Sequence, residues 1–309
     1  MDYLYYRAVN WNETEDAKDQ AVWLKLTNNF WLDGRVPITG DRTFWNQLTT
    51  IQQDSIGHQL AAMSMLTAFE SEIGTPSLRD SNLTQQEEAV LNIITFMESV
   101  HTKAVTTIFR GLLSKEQAAQ YFQWADDNNN LQAEIDVLTA ACCQSNGLVR
   151  RAAFILTETM LMDGKLATIA QYSGLRGTNQ MLKNIMTGQA IFTDYLGYKF
   201  REALRSLTTT EQQTAIKKVN QLTHSLWLIE NRFLDKQASN SKAKAVQWGR
   251  NAAQRLIFGK SQPETTARLD DPFLLLLKNT QAQAEKTPVD PEIVDADAIE
   301  AMSNDDYDF

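Results

Sequence analysis

Residues 82–113, NLTQQEEAVLNIITFMESVHTKAVTTIFRGLL, read as one long helix. The segment from Asn82 to Glu87 has the form of an N-terminal cap, and the helical run behind it lasts to about Leu113. Upstream, Trp45, Leu48, Ile51, Ile56, Leu60, Met63, Leu66 and Phe69 recur at helical spacing between Arg42 and Ile73. Gly74 and Pro76 stand where that helix should stop. Downstream, Ser114 opens a helix through Trp124, and another runs to Cys142 and Cys143. Further helices are expected over 148–172, 179–207, 210–234 and 241–258. No alternating strand pattern of useful length and no internal repeat interrupts them, so the predicted fold is all-α.

Composition agrees. The chain has 309 residues, of which only 13 are Gly and 6 are Pro, and 43% are hydrophobic. So few turn-makers exclude a β-sandwich, a propeller or a collagen-like fibre, and the apolar content suffices for a large core. No apolar run approaches the roughly 20 residues that span a bilayer. Met1 to Arg7, with Asp2 and three tyrosines, lacks the basic-then-apolar order of a signal peptide. Adjacent cysteines rarely bridge, so Cys142 and Cys143 form no disulfide framework. The expected compartment is the cytoplasm.

The net charge of −9 is concentrated at one end. Residues 288–309 hold eight acidic side chains and no Lys or Arg, which leaves the body nearly neutral. A basic face for nucleic acid is absent. The sequence divides into a helical domain over 1–260 and a flexible acidic tail over 261–309, whose part beyond Lys286 is expected to be disordered on composition. Phe273 to Leu277 is a last apolar patch in it, and the tip is Asp305-Asp306-Tyr307-Asp308-Phe309. Two aromatics in an acidic tip suit a docking peptide; a purely solubilising tail is the plainer alternative.

Chemistry centres on the long helix. His101 lies three residues after Glu98, so both project from one face. A Glu-x-x-His pair in an α-bundle offers one oxygen and one nitrogen to the same point, a pattern used for dinuclear metal sites. Phe96, Met97, Val100, Val105 and Ile108 surround the pair. Glu158 sits in an otherwise apolar stretch, Ala152 to Met162, where a buried carboxylate needs a partner. Lys165, seven residues on, is the nearest candidate for a salt bridge.

Several segments together resemble the small, radical-bearing subunit of class I ribonucleotide reductase, of the class Ib type. They are Ala8 to Asn12, Asn29-Phe30-Trp31-Leu32, Ile73 to Leu78, Glu87 to Leu91, Phe96 to His101, Gly197-Tyr198-Lys199 and the Asp-Asp-Tyr-Asp-Phe end. The resemblance covers about residues 8 to 260 and the last few. It implies a ferritin-like helical bundle, a homodimer, and a tail that docks into the large catalytic subunit. In that family a dinuclear iron or manganese site generates a tyrosyl radical for deoxyribonucleotide synthesis.

Carried over by position, the resemblance is incomplete. Of six metal-ligand positions, Glu98, His101 and Glu158 are intact, while Thr67, Gln189 and Phe192 stand at the others. The radical-tyrosine position is Val105. Trp31 matches the relay tryptophan, but its Asp partner is Gly188. No dinuclear cofactor is therefore expected; one weakly bound divalent metal at Glu98, His101 and Glu158 is the most these residues allow. The leading reading is a degenerate or auxiliary small subunit, acting as a homodimer or as a heterodimer with a radical-bearing paralogue. Its last residues, Asp305, Asp306, Tyr307, Asp308 and Phe309, would dock on the large subunit. The alternatives are a metal-free radical subunit, with the radical on another residue such as Tyr195 or Trp31, and a repurposed mononuclear metal or ligand-binding bundle.

Overall fold

The cap expected before the long helix forms through Thr84, whose hydroxyl accepts the Glu87 N–H at 2.9 Å. Behind it helix α3 spans Gln85–Leu112. The computed structural model describes residues 8–79, 83–234, 240–259 and 271–286. Before α3 lie α1 (Ala17–Asn28) and α2 (Thr50–Phe69). After it come α4 (Lys115–Asp126), α5 (Asn129–Cys142), α6 (Gly147–Leu156), α7 (Met162–Ala170) and α8 (Arg176–Arg205). The chain continues through α9 (Thr209–Leu234), α10 (Asn240–Phe258) and α11 (Pro272–Lys286). Among the described residues there is no strand.

Local chemistry sets most helix starts. Thr49 with Gln52, and Ser114 with Gln117, form reciprocal capping boxes at α2 and α4. Asn128 and Asn146 cap α5 and α6. The Thr49 cap also divides the helix that periodicity predicts over 42–73: a single turn, Arg42–Trp45, precedes α2. The start of α8 is capped from far away in sequence. The buried Asp41 carboxylate accepts the Gly177 and Thr178 N–H groups at 2.9 and 2.7 Å. A negative side chain suits those unpaired donors and the positive end of the helix.

Helices α2, α3, α6–α7 and α8 surround the core. Phe109, Phe154, Phe192, Tyr195 and Phe200 are among its fully buried side chains. Each apolar side chain so buried contributes on the order of 2 kcal/mol before the entropy of ordering is counted. Helix α10 covers α7, and α9 packs on α5 and α6. Helix α1 is held to α8 by polar contacts. The buried Tyr195 hydroxyl donates to Asp19 at 2.8 Å, and Lys199 pairs with Asp19 at 2.6 Å and with Asp16 at 2.8 Å.

Two features depart from the sequence expectation. Residues Pro272–Lys286, assigned on composition to a flexible tail, form α11 on the flank of α8. Their apolar patch is the reason: Phe273, Leu274 and Leu277 bury one face against the bundle. The second departure is that the helices predicted over 42–73 and 148–172 are not regular. Each contains a π-helical segment, Glu70–Gly74 and Thr157–Leu161. Such segments insert an extra residue into a turn and often mark functional positions.

Candidate functional site

Both π-segments carry a carboxylate into the core. Glu70 and Glu158 are 1% and 2% exposed, and Glu98 and His101 on α3 are fully buried. No well-formed protein hydrogen bond reaches the oxygens of Glu70 or Glu158, and the neighbouring Thr157 and Gln189 side chains only oppose the rise of their carboxyls. Burial, with Glu158 and Glu98 nearby, holds the Glu70 carboxyl well above the usual range, so its neutral form is favoured. Burial does the same to Glu98 and Glu158, and Asp163 on α7 is raised by burial and by Glu158.

Sequence reasoning missed Glu70. Its one signal is Gly74: a Cβ there would fall 1.8 Å from Glu70 Oε2, so only glycine leaves that carboxyl its place. Periodicity treats 70 as one position of a regular helix, whereas the π-segment begins at it.

The expected Glu98–His101 pairing forms, with Glu98 Oε2 at 3.3 Å from Nδ1. Burial pushes the His101 imidazole down to about 3. Glu98 is raised and His101 lowered, so burial favours the neutral form of each side of this contact. The cause is burial beside aromatic rings: Trp31 and Phe192 lie 5.9 and 6.2 Å from the imidazole between centroids. Apolar walls disfavour an imidazolium.

The other predicted positions fall around this stack. Thr67 is turned to its own backbone, donating to Met63 O at 3.0 Å, and its hydroxyl meets that of Thr102 at 2.9 Å. Gln189, 4% exposed, faces Glu158 and opposes the rise of its carboxyl. Val105 is buried one turn beyond His101. Gly188 faces the imidazole, since a Cβ there would sit 3.6 Å from His101 Nε2. Trp31 Nε1 is buried without a partner. Among the described residues no three His, Cys, Asp or Glu side chains converge on a point that would hold a metal ion. The docking residues Asp305, Asp306, Tyr307, Asp308 and Phe309 lie outside the described residues.

The salt bridge expected between Lys165 and Glu158 does not form. Lys165 is fully buried against Glu230 at 3.1 Å and Glu134 at 3.7 Å, and it donates to Leu161 O at 3.2 Å. The physical reason is the π-segment between the two residues. Seven residues of regular helix would bring them to one face; the extra residue rotates Lys165 away.

Comparison with known proteins places this geometry. The family model for the ribonucleotide reductase small chain matches residues 8–248. The Mycobacterium tuberculosis ribonucleoside-diphosphate reductase subunit beta nrdF1 is 30% identical over 226 residues, covering 72% of this chain and 70% of that protein. The structure of dimanganese(II)-NrdF from Streptococcus sanguinis superposes with a TM-score of 0.82 at 29% identity, over 88% of this chain and 99% of that one. The R2 subunit from Clostridium botulinum, at 12% identity, shares the fold with a TM-score of 0.72 over 89% and 91% of the two chains.

Proposed function

The chain belongs to the ribonucleotide reductase small-chain family, and on that premise we propose that it is an auxiliary small subunit, which serves deoxyribonucleotide synthesis through its surfaces. The observation that carries this reading is the stack of Trp31, His101 and Phe192. A phenyl ring, 6.2 Å from the imidazole between centroids and inclined to it by 28°, stands at the position of the family's second histidine ligand. The residues present do not fit a dinuclear metal centre. Two divalent or trivalent ions need several anionic oxygens to offset their lost hydration. Here Thr67 is bonded to its own helix, Gln189 is neutral, and the carboxyls of Glu70, Glu98 and Glu158 favour their protons. Val105 cannot store an oxidising equivalent, and Trp31 lacks the hydrogen-bond acceptor that would take its proton.

The partners follow from the same reading: the large catalytic subunit, and a second small subunit that is either a copy of this chain or a radical-bearing paralogue. With the large subunit alone, this protein is expected to form no deoxyribonucleotide; adding such a paralogue restores turnover. A chain lacking its last eight residues should lose binding to the large subunit, because terminal aromatics such as Tyr307 and Phe309 are the anchors a pocket can bury. Turnover by this chain alone, with an organic radical signal that survives chelation, would instead establish the metal-free radical subunit.

The second small subunit fits a patch on α3. Phe96 and Phe30 stack at 5.8 Å and are 49% and 44% exposed. Ser99, one turn on, meets Ser71 at 3.1 Å, and Ile73 extends the apolar surface. Exposed stacked aromatics of this kind mark protein contacts. Phe96→Asp should convert the dimer to a monomer in sedimentation while leaving helix content unchanged; a variant that stays dimeric removes this face from the reading.

A further inference from the structure

The nearly neutral body is unevenly charged. Helices α9 and α10, which pack side by side, carry seven Lys or Arg and two acidic residues. Of those two, Glu211 lies in the first turn of α9, and Glu230 is buried against Lys165. Lys217, His224, Leu228 and Arg232 are exposed, and their spacing of seven, four and four residues lines them along one face of α9. An aromatic seam joins this face to α10. The His224 ring stacks on Trp227 at 6.4 Å between centroids, and the Arg250 guanidinium lies 4.9 Å over the Trp227 ring. Leu228, the next residue, is 40% exposed. Lys217, Arg232 and Arg250 meet no carboxylate among the described residues.

We propose that this face is the docking site of the chain's own acidic tail, residues 288–309. The tail complements it in charge and in shape. Its eight acidic side chains, with no Lys or Arg among them, match the cations of α9 and α10. Tyr307 and Phe309 supply the rings that Trp227, Leu228 and the Arg250 guanidinium can cover. The exit of the chain from the bundle is close by. Helix α11 ends at Lys286, and its Gln281 accepts a hydrogen bond from Arg255 on α10 at 3.0 Å. From there residues 287–309 reach at most roughly 75 Å when extended. Tethering holds the tail at an effective concentration on the order of millimolar, so individually weak contacts are enough. An acidic peptide on a separate protein has no such advantage. A tip docked on its own bundle competes with any external pocket for the same two rings. The docking itself involves one chain only, so it stands or falls independently of whether the protein supports ribonucleotide reduction.

The test uses the full-length chain and a water-soluble carbodiimide, which joins a carboxylate to an amine in direct contact. At about 50 mM salt, mass spectrometry should find tail carboxylates linked to Lys217, Lys218 or Lys244. With isotopically light and heavy protein mixed, the links should lie within one chain. Raising the salt to about 0.5 M should cut the yield at least about fivefold, because exposed charge pairs are screened. Arg232→Glu combined with Arg250→Glu should cut it by about as much. Arg110→Glu combined with Lys115→Glu, an equal charge change where α3 meets α4, should alter it less than about twofold. Tyr307→Ala with Phe309→Ala leaves the bundle untouched and gives a second reading where charge reversal impairs folding; the yield should fall about threefold or more. Unchanged yield in both the charge-reversed and the ring-deleted chains overturns the proposal. So do links found only between light and heavy chains, which would put the tail on a second copy, and links confined to lysines outside α9 and α10.

Discussion

Freed of metal, the protein should become more stable as pH falls from 8 to 6.5, by about 1 kcal/mol per pH unit for each carboxyl that stays protonated in the fold. Glu70, Glu98, Glu158 and Asp163 are all held above their ordinary values of 4.5 and 3.8 by burial. Between the unfolded and folded values, the folded chain binds more protons than the unfolded one. Stability is therefore fully present below the unfolded value and is lost as pH rises toward the folded one. Three groups bound the window. Burial lowers Lys242 to about 8, and that group makes stability rise with pH only above this value. His101, lowered to about 3, opposes the trend only below its ordinary 6.5, as does His58. Denaturation midpoints in urea at pH 6.5 and 8 check the expectation. Glu70→Gln should flatten the slope. A midpoint that rises from pH 6.5 to 8 without metal would mean that the carboxyls are charged and otherwise satisfied.

Lys165→Met should destabilise the fold by about 3–5 kcal/mol. Lys165 joins Glu230 on α9 to Glu134 on α5 inside the bundle, and all three side chains are fully buried. Lys242 on α10 extends the group to Gln59 on α2 at 3.2 Å. Removing the lysine leaves Glu230 without its nearest counter-charge in a medium that cannot solvate it. Pairing the change with Glu230→Leu should recover most of the loss, because an apolar pair of similar volume leaves no stranded charge. Thermal or urea melts of the single and double variants measure this directly. A single variant within ~0.5 kcal/mol of the parent would show that Lys242 or water satisfies Glu230 unaided.

Helix existence was legible in the sequence because it depends on neighbours a few residues apart. Thr84, Ser114 and Asn128 cap the helices that follow them, and the apolar residues of α2 from Ile56 to Phe69 are buried as their spacing predicts, whereas Ile51, predicted with them, is 81% exposed. The family was legible for a related reason: its motifs are short, contiguous segments. So were the substitutions at Thr67, Val105, Gly188, Gln189 and Phe192, which are read position by position. The fate of 272–286 was only half legible. Its apolar patch is visible in the text, while the α8 surface that buries it is not.

The sequence by itself determined an all-α bundle and a family site with half its ligand positions replaced. Only the tertiary structure decided which carboxyls meet. Glu70 enters the core, Lys165 leaves Glu158 for Glu230 and Glu134, and Asp163 comes to line a cleft with Glu158 and Gln189. The physical reason is that a π-turn is not encoded by local propensity. It is an irregularity in backbone hydrogen bonding that packing imposes, and one extra residue per turn shifts every side chain after it by roughly 100°. A buried charge then selects its partner from whatever the packed helices bring within reach.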